Sequence, residues 1–533
     1  MKINMKKITN LLRTYGGYLF LCSIVLVVSC TKEFDDINTN KNALSKLETS
    51  QLPFLFSKAQ STATNNGWNY QIAQNLFHDQ YCQYFSNTTT YFPSDRLVIR
   101  MDWIRAAWNP IYSEVVPQLQ TLFEGYDPAS AEYAIAQVWW VYTFHRLTDT
   151  WGPVPYFNAG VSGTSVPYDA QDKIYDDMFK KLDAAVTTLN ANKSKVPYGT
   201  FDLIYSGDVN KWIRFANTLR LRLAVRISKV DATRAKTEGE KAITTGGVLE
   251  DSPNHDALIF RTEKGDDFNG LTVMDWNEFR MTSTMESVLK GYGDPRIGVY
   301  YSPAAGTNNY DGLRNGLTSA DMALPLNLAA NNSNKGPRWD KSKAGTLSTP
   351  SNVMATAEAW FLRAEGTLLG WNMGGGTAET YYNRGITESM KQWGITDAAA
   401  ITAYINSNAT PIAPGDAQNS PPVSTAPIKF GATTLLQNEQ ITIQKWLALF
   451  PEGVEAWADI RRSGAFKLYP VKQSDNTDLP TAANINAPTK NWIRRIPFIN
   501  DEKVTNGAEV DKAVPLIGPG GDKISTPLWW DKN

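Results

Sequence analysis

The chain has 533 residues, 42% of them apolar, which is enough to bury one or more sizeable cores. Positive and negative side chains nearly balance, at 52 Lys and Arg against 53 Asp and Glu, for a formal net charge of −1. Because nucleic-acid binding needs clustered Lys and Arg, this balance argues against DNA or RNA as a partner.

The N-terminus has the pattern of a secretory signal. An apolar run from Tyr18 to Val28 follows four cations, which are Lys2, Lys6, Lys7 and Arg13. This run is shorter than the roughly 20 apolar residues that span a membrane. It ends in Val27-Val28-Ser29-Cys30, which resembles a bacterial lipobox. We therefore predict a signal peptide over residues 1–29 and lipidation of Cys30.

A polar stretch rich in Asp and Asn follows, from Thr31 to Asn42, and shows no periodicity. We interpret residues 30–42 as a lipidated tether and residues 43–533 as the body of the protein. Cys82 is the one cysteine of that body, so no internal disulfide is expected. Its aromatic neighbourhood favours a buried thiol over a reactive one.

Apolar residues at helical spacing dominate the body. One helix is predicted to begin with Asp127 as its N-cap and Pro128 in its first turn, and another to begin at Asp208. A third predicted helix covers 357–368 and is followed, after Gly374-Gly375-Gly376, by a partner that runs to about Trp393.

A fourth predicted helix passes through Ile443 and Phe450, is broken by Pro451 and resumes at Val454. Weaker partner helices cover roughly 171–190 and 231–245. Helix pairs joined by turns are typical of a TPR-like solenoid, although a simple array would repeat every ~34 residues. Loop-rich insertions near 246–350 and 405–432 break that repeat, and binding surfaces are often built from such segments.

Markers of the common catalytic classes are missing from the sequence. The chain has no GxSxG, HExxH, CxxC or Gly-Lys motif, and its three histidines, His78, His145 and His255, lack metal-ligand spacing. His145 follows the apolar face of its helix and is predicted to be structural. The doublets Asp176-Asp177 and Asp266-Asp267 are interpreted as solvated surface rather than as a glycosidase pair. No catalytic residue, metal or cofactor is predicted.

Several stretches closely resemble the SusD/RagB outer-membrane lipoproteins of Bacteroidetes, most of all the SusD-like nutrient-binding branch. They are Asp202–Trp212 with Phe215–Ala224, Leu147–Tyr156, Asp294-Pro295-Arg296, Glu358–Glu365, Pro451–Gly464 and Arg494–Phe498. The matches span nearly the whole mature chain. Together with the lipobox they identify the sequence as a member of this family.

The resemblance implies a mainly α fold, in which a TPR-like helix-pair scaffold carries loop-rich insertions that form a ligand-binding face. It also implies a surface-exposed, lipid-anchored outer-membrane protein. Such a protein captures nutrient, usually an oligosaccharide, for a partner TonB-dependent, SusC-like transporter. The motif residues themselves, including Arg222, Arg226, Arg461 and Arg462, are assigned structural roles.

Loop aromatics are the candidate ligand contacts, because aromatic faces bury the apolar faces of sugar rings. Core packing uses the same residue types, so each of them is also a candidate for the interior. The set comprises Trp68, Tyr70, Tyr91, Phe92, Trp276, Tyr310 and Trp339. Peptide capture is the first alternative to glycan binding, and a helical glycoside hydrolase is a more distant one.

Overall fold

Helices carry most of the structure, a computed structural model that describes residues 48–65, 69–161, 163, 165–259, 276–336, 350–479 and 492–533. The helices in the first half of the chain are α1 (Leu52–Ala63), α2 (His78–Tyr81), α3 (Met101–Pro110), α4 (Val116–Gly125), α5 (Ala131–Trp151), α6 (Gln171–Ala191), α7 (Val209–Arg226) and α8 (Ala232–Thr244). Those in the second half are α9 (Ser283–Tyr292), α10 (Ile297–Tyr300), α11 (Ser319–Met322), α12 (Thr356–Leu368), α13 (Ala378–Gln392), α14 (Ala398–Ile405), α15 (Thr434–Leu449), α16 (Gly453–Ser463), α17 (Asn500–Thr505) and α18 (Gly507–Ile517).

In the described part of the chain, four short strands form two antiparallel pairs. They are β1 (Phe85–Asn87), β2 (Ala257–Ile259), β3 (Phe279–Met281) and β4 (Ser351–Met354). Strand β1 pairs with β3, so that Asn87 faces Phe279, and β2 pairs with β4. Short π-helical turns cover Gln71–Asn75 and Ile111–Val115, and 3-10 turns include Ser94–Arg96, Pro325–Asn327 and Ala329–Asn331.

The predicted helix pairs are present and pack against one another. Helix α5 packs on α6, α7 on α8, α12 on α13, and α15 on α16. Contacts of α6 with α7, α7 with α12, and α12 with α15 join these pairs into one stack. The mainly helical fold class is thereby confirmed. Residues 406–433, between α14 and α15, hold neither helix nor strand.

The helix starts follow side-chain capping. Asp208 caps α7 as predicted, because its Oδ1 accepts hydrogen bonds from the backbone N–H groups of Asn210 and Lys211. The prediction that Asp127 caps α5 is wrong. Ser130 is the cap there, with its Oγ 3.1 Å from the backbone nitrogen of Tyr133. The Asp127 carboxylate instead accepts a hydrogen bond from the backbone N–H of Ala129, in the turn before the helix.

Buried ion pairs cross the helix stack. Arg222 of α7 donates two hydrogen bonds to Glu358 of α12, at 2.7 and 2.6 Å. One turn along the helix, Arg226 binds both carboxylate oxygens of Glu455 on α16 at 2.6 Å, and its Nε lies 3.2 Å from Oδ2 of Asp149 on α5. All five side chains are buried. The motif residues therefore fix the relative positions of four helices, in keeping with their predicted structural role.

His145 is part of the same interior. Its Nε2 accepts a hydrogen bond from Nη1 of Arg222, so the ring proton lies on Nδ1, which donates to the carbonyl of Tyr142. Burial and then the positive charge of Arg222 lower the pKa of His145 well below its usual value. A neutral, fully bonded imidazole is the structural histidine that the sequence predicts.

The remaining groups considered for chemistry also have structural partners. Cys82 is a buried free thiol, and burial raises its pKa. Asp176 pairs with Arg234, and Asp177 accepts from the Tyr156 hydroxyl and pairs with Lys181. Asp266-Asp267, Cys30 and the tether lie outside the described residues. Within the described ranges, no group of three His, Cys, Asp or Glu side chains is arranged to hold a metal, and no helix is long and apolar enough to cross a membrane.

Candidate functional site

An aromatic cluster with one exposed ring lies beyond the end of β1. Tyr91 is 70% exposed, and its ring centroid is 6.1 Å from that of Trp103 on α3 at an interplanar angle of 39°. Phe92 lies beneath both rings, 5.1 Å from Tyr91 and 5.9 Å from Trp103. Phe92 in turn stacks on Phe279 of β3, at 6.0 Å and 26°. We call Tyr91, Phe92 and Trp103 the platform.

Charged groups lie at the edge of the platform. The Arg100 guanidinium is 4.4 Å from the Trp103 ring centroid and donates two hydrogen bonds to Asp102, at 2.9 and 2.6 Å. Hydrogen bonding to Arg100 lowers the pKa of Asp102, and the same contact raises the pKa of Arg100. The pair therefore stays charged across the physiological pH range and offers donors and acceptors beside the exposed rings.

The antiparallel pairing of β1 and β3 places a second aromatic residue near the platform. Because the strands are antiparallel and Asn87 pairs with Phe279, the last residue of β1 and the first residue of β3 lie at the same end of the ladder. Tyr91 follows β1 in the sequence, and Trp276 precedes β3, so both adjoin that end. Thr88 extends the ladder, with its backbone N–H and its hydroxyl both donating to the carbonyl of Glu278. Trp276 is 41% exposed.

The segment 319–334 borders the same face. At one end, the hydroxyl oxygens of Ser319 and Thr90 lie 3.4 Å apart. At the other end, the Asn334 amide donates to Oδ1 of Asn277 at 2.8 Å, and Nε of Arg280 donates to the carbonyl of Ala329 at 2.8 Å. The segment is therefore bonded to neighbours of both Tyr91 and Trp276.

The predicted ligand contacts fall into three groups. Tyr91 and Trp276 are exposed on this face, and Phe92 supports Tyr91 from below at 5% exposure. Tyr70 is buried and donates a 2.6 Å hydrogen bond to Asp79, so it packs in the interior, while Tyr310 is partly exposed beside Gly298. Trp68 and Trp339 lie outside the described residues.

Sequence reasoning missed Trp103. Its helix, α3, is not among those predicted from periodicity, and the Trp103 ring lies next to Tyr91. The signal that could have found it is the run Arg100-Met101-Asp102-Trp103, which puts an opposite-charge pair next to an indole directly after a loop.

A wider concavity of about 730 Å³ lies on the scaffold between α12, α13 and the residues around His255. Its indole, Trp360, is already engaged, because Nε1 donates to the carbonyl of Glu250 and the guanidinium of Arg363 lies 4.3 Å from the ring centroid. The platform differs in having Tyr91, a ring that is 70% exposed.

Residues 35–531 match the SusD-like family, which is described as the SusD and RagB outer membrane lipoproteins. The chain therefore belongs to the SusD/RagB family, whose members are outer-membrane lipoproteins and binding proteins rather than enzymes. No curated protein matches it.

Solved structures of the family superpose closely. One is a chitin-binding SusD homologue from Flavobacterium johnsoniae, 32% identical, with a TM-score of 0.80, covering 90% of this chain and 99% of that one. A SusD homologue from Bacteroides vulgatus ATCC 8482 is 30% identical, with a TM-score of 0.81 and coverages of 91% and 98%. Another from Bacteroides thetaiotaomicron VPI-5482 is 28% identical, with a TM-score of 0.79 and coverages of 90% and 99%.

Proposed function

We propose that this protein binds an oligosaccharide on the platform and passes it to a partner transporter. The observation that carries the glycan proposal is the exposed Tyr91 ring, held against Trp103 and backed by the buried Phe92. A rigid aromatic surface buries the apolar face of a sugar ring without the entropic cost of ordering side chains on binding.

The polar groups at the platform edge complete this chemistry. Sugar hydroxyls need both donors and acceptors, and the Arg100–Asp102 pair supplies them next to the Trp103 ring. Trp276, near the same end of the ladder, would extend the stacking surface beyond one sugar ring. The similarity to a chitin-binding SusD homologue makes β-1,4-linked N-acetylglucosamine oligomers the first glycans to try.

Titration calorimetry of the mature protein with chitohexaose tests this proposal. We expect Tyr91→Ala and Trp103→Ala each to lose on the order of 1 kcal/mol of binding free energy, a roughly fivefold loss of affinity. The matched control is Phe157→Ala, an aromatic that is 53% exposed and lies in the loop after α5. The platform would be refuted as the site if Phe157→Ala lost as much affinity as the platform variants. It would also be refuted if lower melting temperatures explained the affinity losses of the platform variants.

We infer that Cys30 is the lipidated residue and that the mature protein is anchored at the cell surface. The lipobox-like sequence before Cys30 and membership of a lipoprotein family support this. A Cys30→Ala variant should lose lipid labelling and leave the outer-membrane fraction. A Cys30→Ala variant that keeps its lipid label and stays in the outer-membrane fraction would contradict lipidation at Cys30.

Delivery to a TonB-dependent, SusC-like transporter is the proposed second half of the function. Family membership and the polar stretch between Cys30 and the body support it. Gentle detergent extraction followed by affinity purification should recover a barrel transporter in near-equal amount. Recovery of the lipoprotein alone from cells that express the adjacent transporter would instead favour a free-standing surface binder.

We propose that the protein does not cleave the glycan it binds. The buried carboxylates described above are occupied by ion pairs, and the family consists of binding proteins. Prolonged incubation with a bound glycan should leave its chromatographic profile unchanged. Shortened products that vanish when a carboxylate pair is replaced would restore the hydrolase alternative.

A further inference from the structure

Three leucines lie exposed within five residues of segment 319–334. Leu324, Leu326 and Leu328 are 41%, 55% and 46% exposed. Leu324 and Leu328 flank the 3-10 turn Pro325–Asn327, and Leu326 lies within it. We call residues 324–328 the leucine turn. Single exposed leucines are common on protein surfaces, but three in one short turn form an apolar patch that calls for a function.

The leucine turn is held in one conformation by asparagine side chains. The amide of Asn327 donates to the carbonyl of Asp321, and that of Asn331 donates to the carbonyl of Pro325, both at 2.8 Å. The Asn332 amide bridges the carbonyls of Leu326 and Leu328, at 2.9 and 3.0 Å. A turn with this many backbone contacts presents its leucines without a large entropic cost on binding.

Its position connects the patch to the platform. Ser319, five residues before Leu324, bonds to Thr90 next to Tyr91. Ala329, directly after the turn, accepts from Arg280, and Asn334 bonds to Asn277 next to Trp276. The segment that carries the leucine turn is therefore bonded, on both sides of the turn, to neighbours of the two exposed aromatic residues.

The chemistry of leucine limits which sugar substituents this face accepts. Its side chain has no hydrogen-bond donor or acceptor, so a sugar hydroxyl placed against it would give up hydrogen bonds to water without replacement. An acyl methyl group in the same position would gain by leaving water. We propose that the leucine turn selects glycans that carry N-acetyl groups over glycans that carry only hydroxyls. This proposal rests on glycan binding at the platform.

Two hexasaccharides with the same β-1,4 linkage separate the two substituents. Chitohexaose carries a 2-acetamido group where cellohexaose carries a 2-hydroxyl, so the difference in their affinities measures the selection. We expect the wild-type protein to bind chitohexaose more tightly. Leu326→Ser should weaken chitohexaose binding about fourfold, the value for one lost methyl contact, and the triple Leu324→Ser, Leu326→Ser, Leu328→Ser variant should weaken it more than about tenfold.

Cellohexaose binding should change less than about twofold in these variants, which removes the preference. The matched control is Leu435→Ser, a leucine that is 81% exposed on scaffold helix α15, and it should leave both affinities unchanged. Melting temperatures verify that the variants remain folded, as expected for exposed side chains.

The outcomes distinguish this proposal from the proposed function. Equal wild-type affinity for the two hexasaccharides, or equal weakening of both in the leucine variants, would overturn selection while glycan binding at the platform stands. Unchanged chitohexaose affinity in the triple variant would also overturn it. If the wild-type protein bound neither hexasaccharide, both the proposed selection and the proposed glycan binding at the platform would be overturned.

Discussion

The helix stack and the surface around the platform use charged groups in opposite ways. In the stack, Arg222 and Arg226 are buried and bind the buried carboxylates of Glu358 and Glu455. On the surface around the platform, Arg100 and Asp102 are paired but solvent-exposed. The same residue types therefore determine a fold in one region and stay in contact with water in the other.

Burial is the physical reason for the difference. Taking a charge out of water is costly, so a buried arginine needs its carboxylates in fixed positions, and those positions specify how the helices meet. An exposed pair keeps most of its hydration, and its loss costs little. The stretches that identify the family supply Arg222, Glu358 and Glu455, and Arg226 follows two residues after one of them. The platform residues Tyr91 and Trp103 and the leucine turn lie outside those stretches.

The strongest test of this contrast removes one buried carboxylate. Glu455→Ala would leave Arg226 facing Asp149 alone and take a second carboxylate from Arg222, so unfolding free energy should fall by about 3–5 kcal/mol. Urea denaturation followed by circular dichroism measures the change. A loss below ~1 kcal/mol would mean that the network does not hold the helices together.

The platform contains its own internal contrast in Phe92 and Tyr91. Phe92→Ala should cost about 3–5 kcal/mol of stability, because the ring is buried between Tyr91, Trp103 and Phe279. Tyr91→Ala should leave the melting temperature nearly unchanged. Thermal unfolding of the two variants measures the difference. Similar melting temperatures would contradict the assignment of Phe92 as a buried support and Tyr91 as a surface residue.

The pH dependence of stability distinguishes a buried carboxylate with neutral partners from one with cations. Burial raises the pKa of Asp79 to about 7, even though Tyr70 and Gln74 donate hydrogen bonds to it. Burial would also raise the pKa of Asp459, but Arg462 and Lys445 beside it hold that pKa well below its usual value.

For Asp79, the folded protein holds a proton that the unfolded chain loses near pH 4, so stability is greatest below that pH and falls as the pH rises to 7. The pKa difference corresponds to a loss of about 4 kcal/mol. Asp79→Asn should flatten this part of the stability profile. Urea midpoints between pH 4 and 8 measure it, and parallel profiles for the two proteins would contradict the assignment.

The smallest effect is expected from an exposed pair used as a matched control for Glu455. Glu114 lies 2.5 Å from Lys58, but the two side chains are 41% and 54% exposed. Glu114→Ala should therefore change the unfolding free energy by no more than ~1 kcal/mol. If Glu114→Ala lowered the unfolding free energy as much as Glu455→Ala does, burial would not explain the difference between the two ion pairs.

Sequence periodicity was sufficient for the helix pairs, because each has a continuous apolar face with a 3.6-residue period. It was less reliable for helix starts, where Asp127 and Ser130 both have the chemistry of a cap and only local geometry selects Ser130. The candidate site could be predicted only in part. Tyr70 and Tyr91 both lie in aromatic, loop-rich stretches, and it is the tertiary contact of Tyr70 with Asp79 that makes one of them interior.

The short β1–β3 ladder has a consequence for engineering. Its two strands, and the Thr88 bond that extends them, are joined by backbone groups whose pairing does not depend on which side chains the adjoining turns carry. Residues at Tyr91 and Trp276, which adjoin the two strands, could thus be randomised together in a display library while the helical body stays intact. The protein would then be a starting point from which new binding specificities are selected.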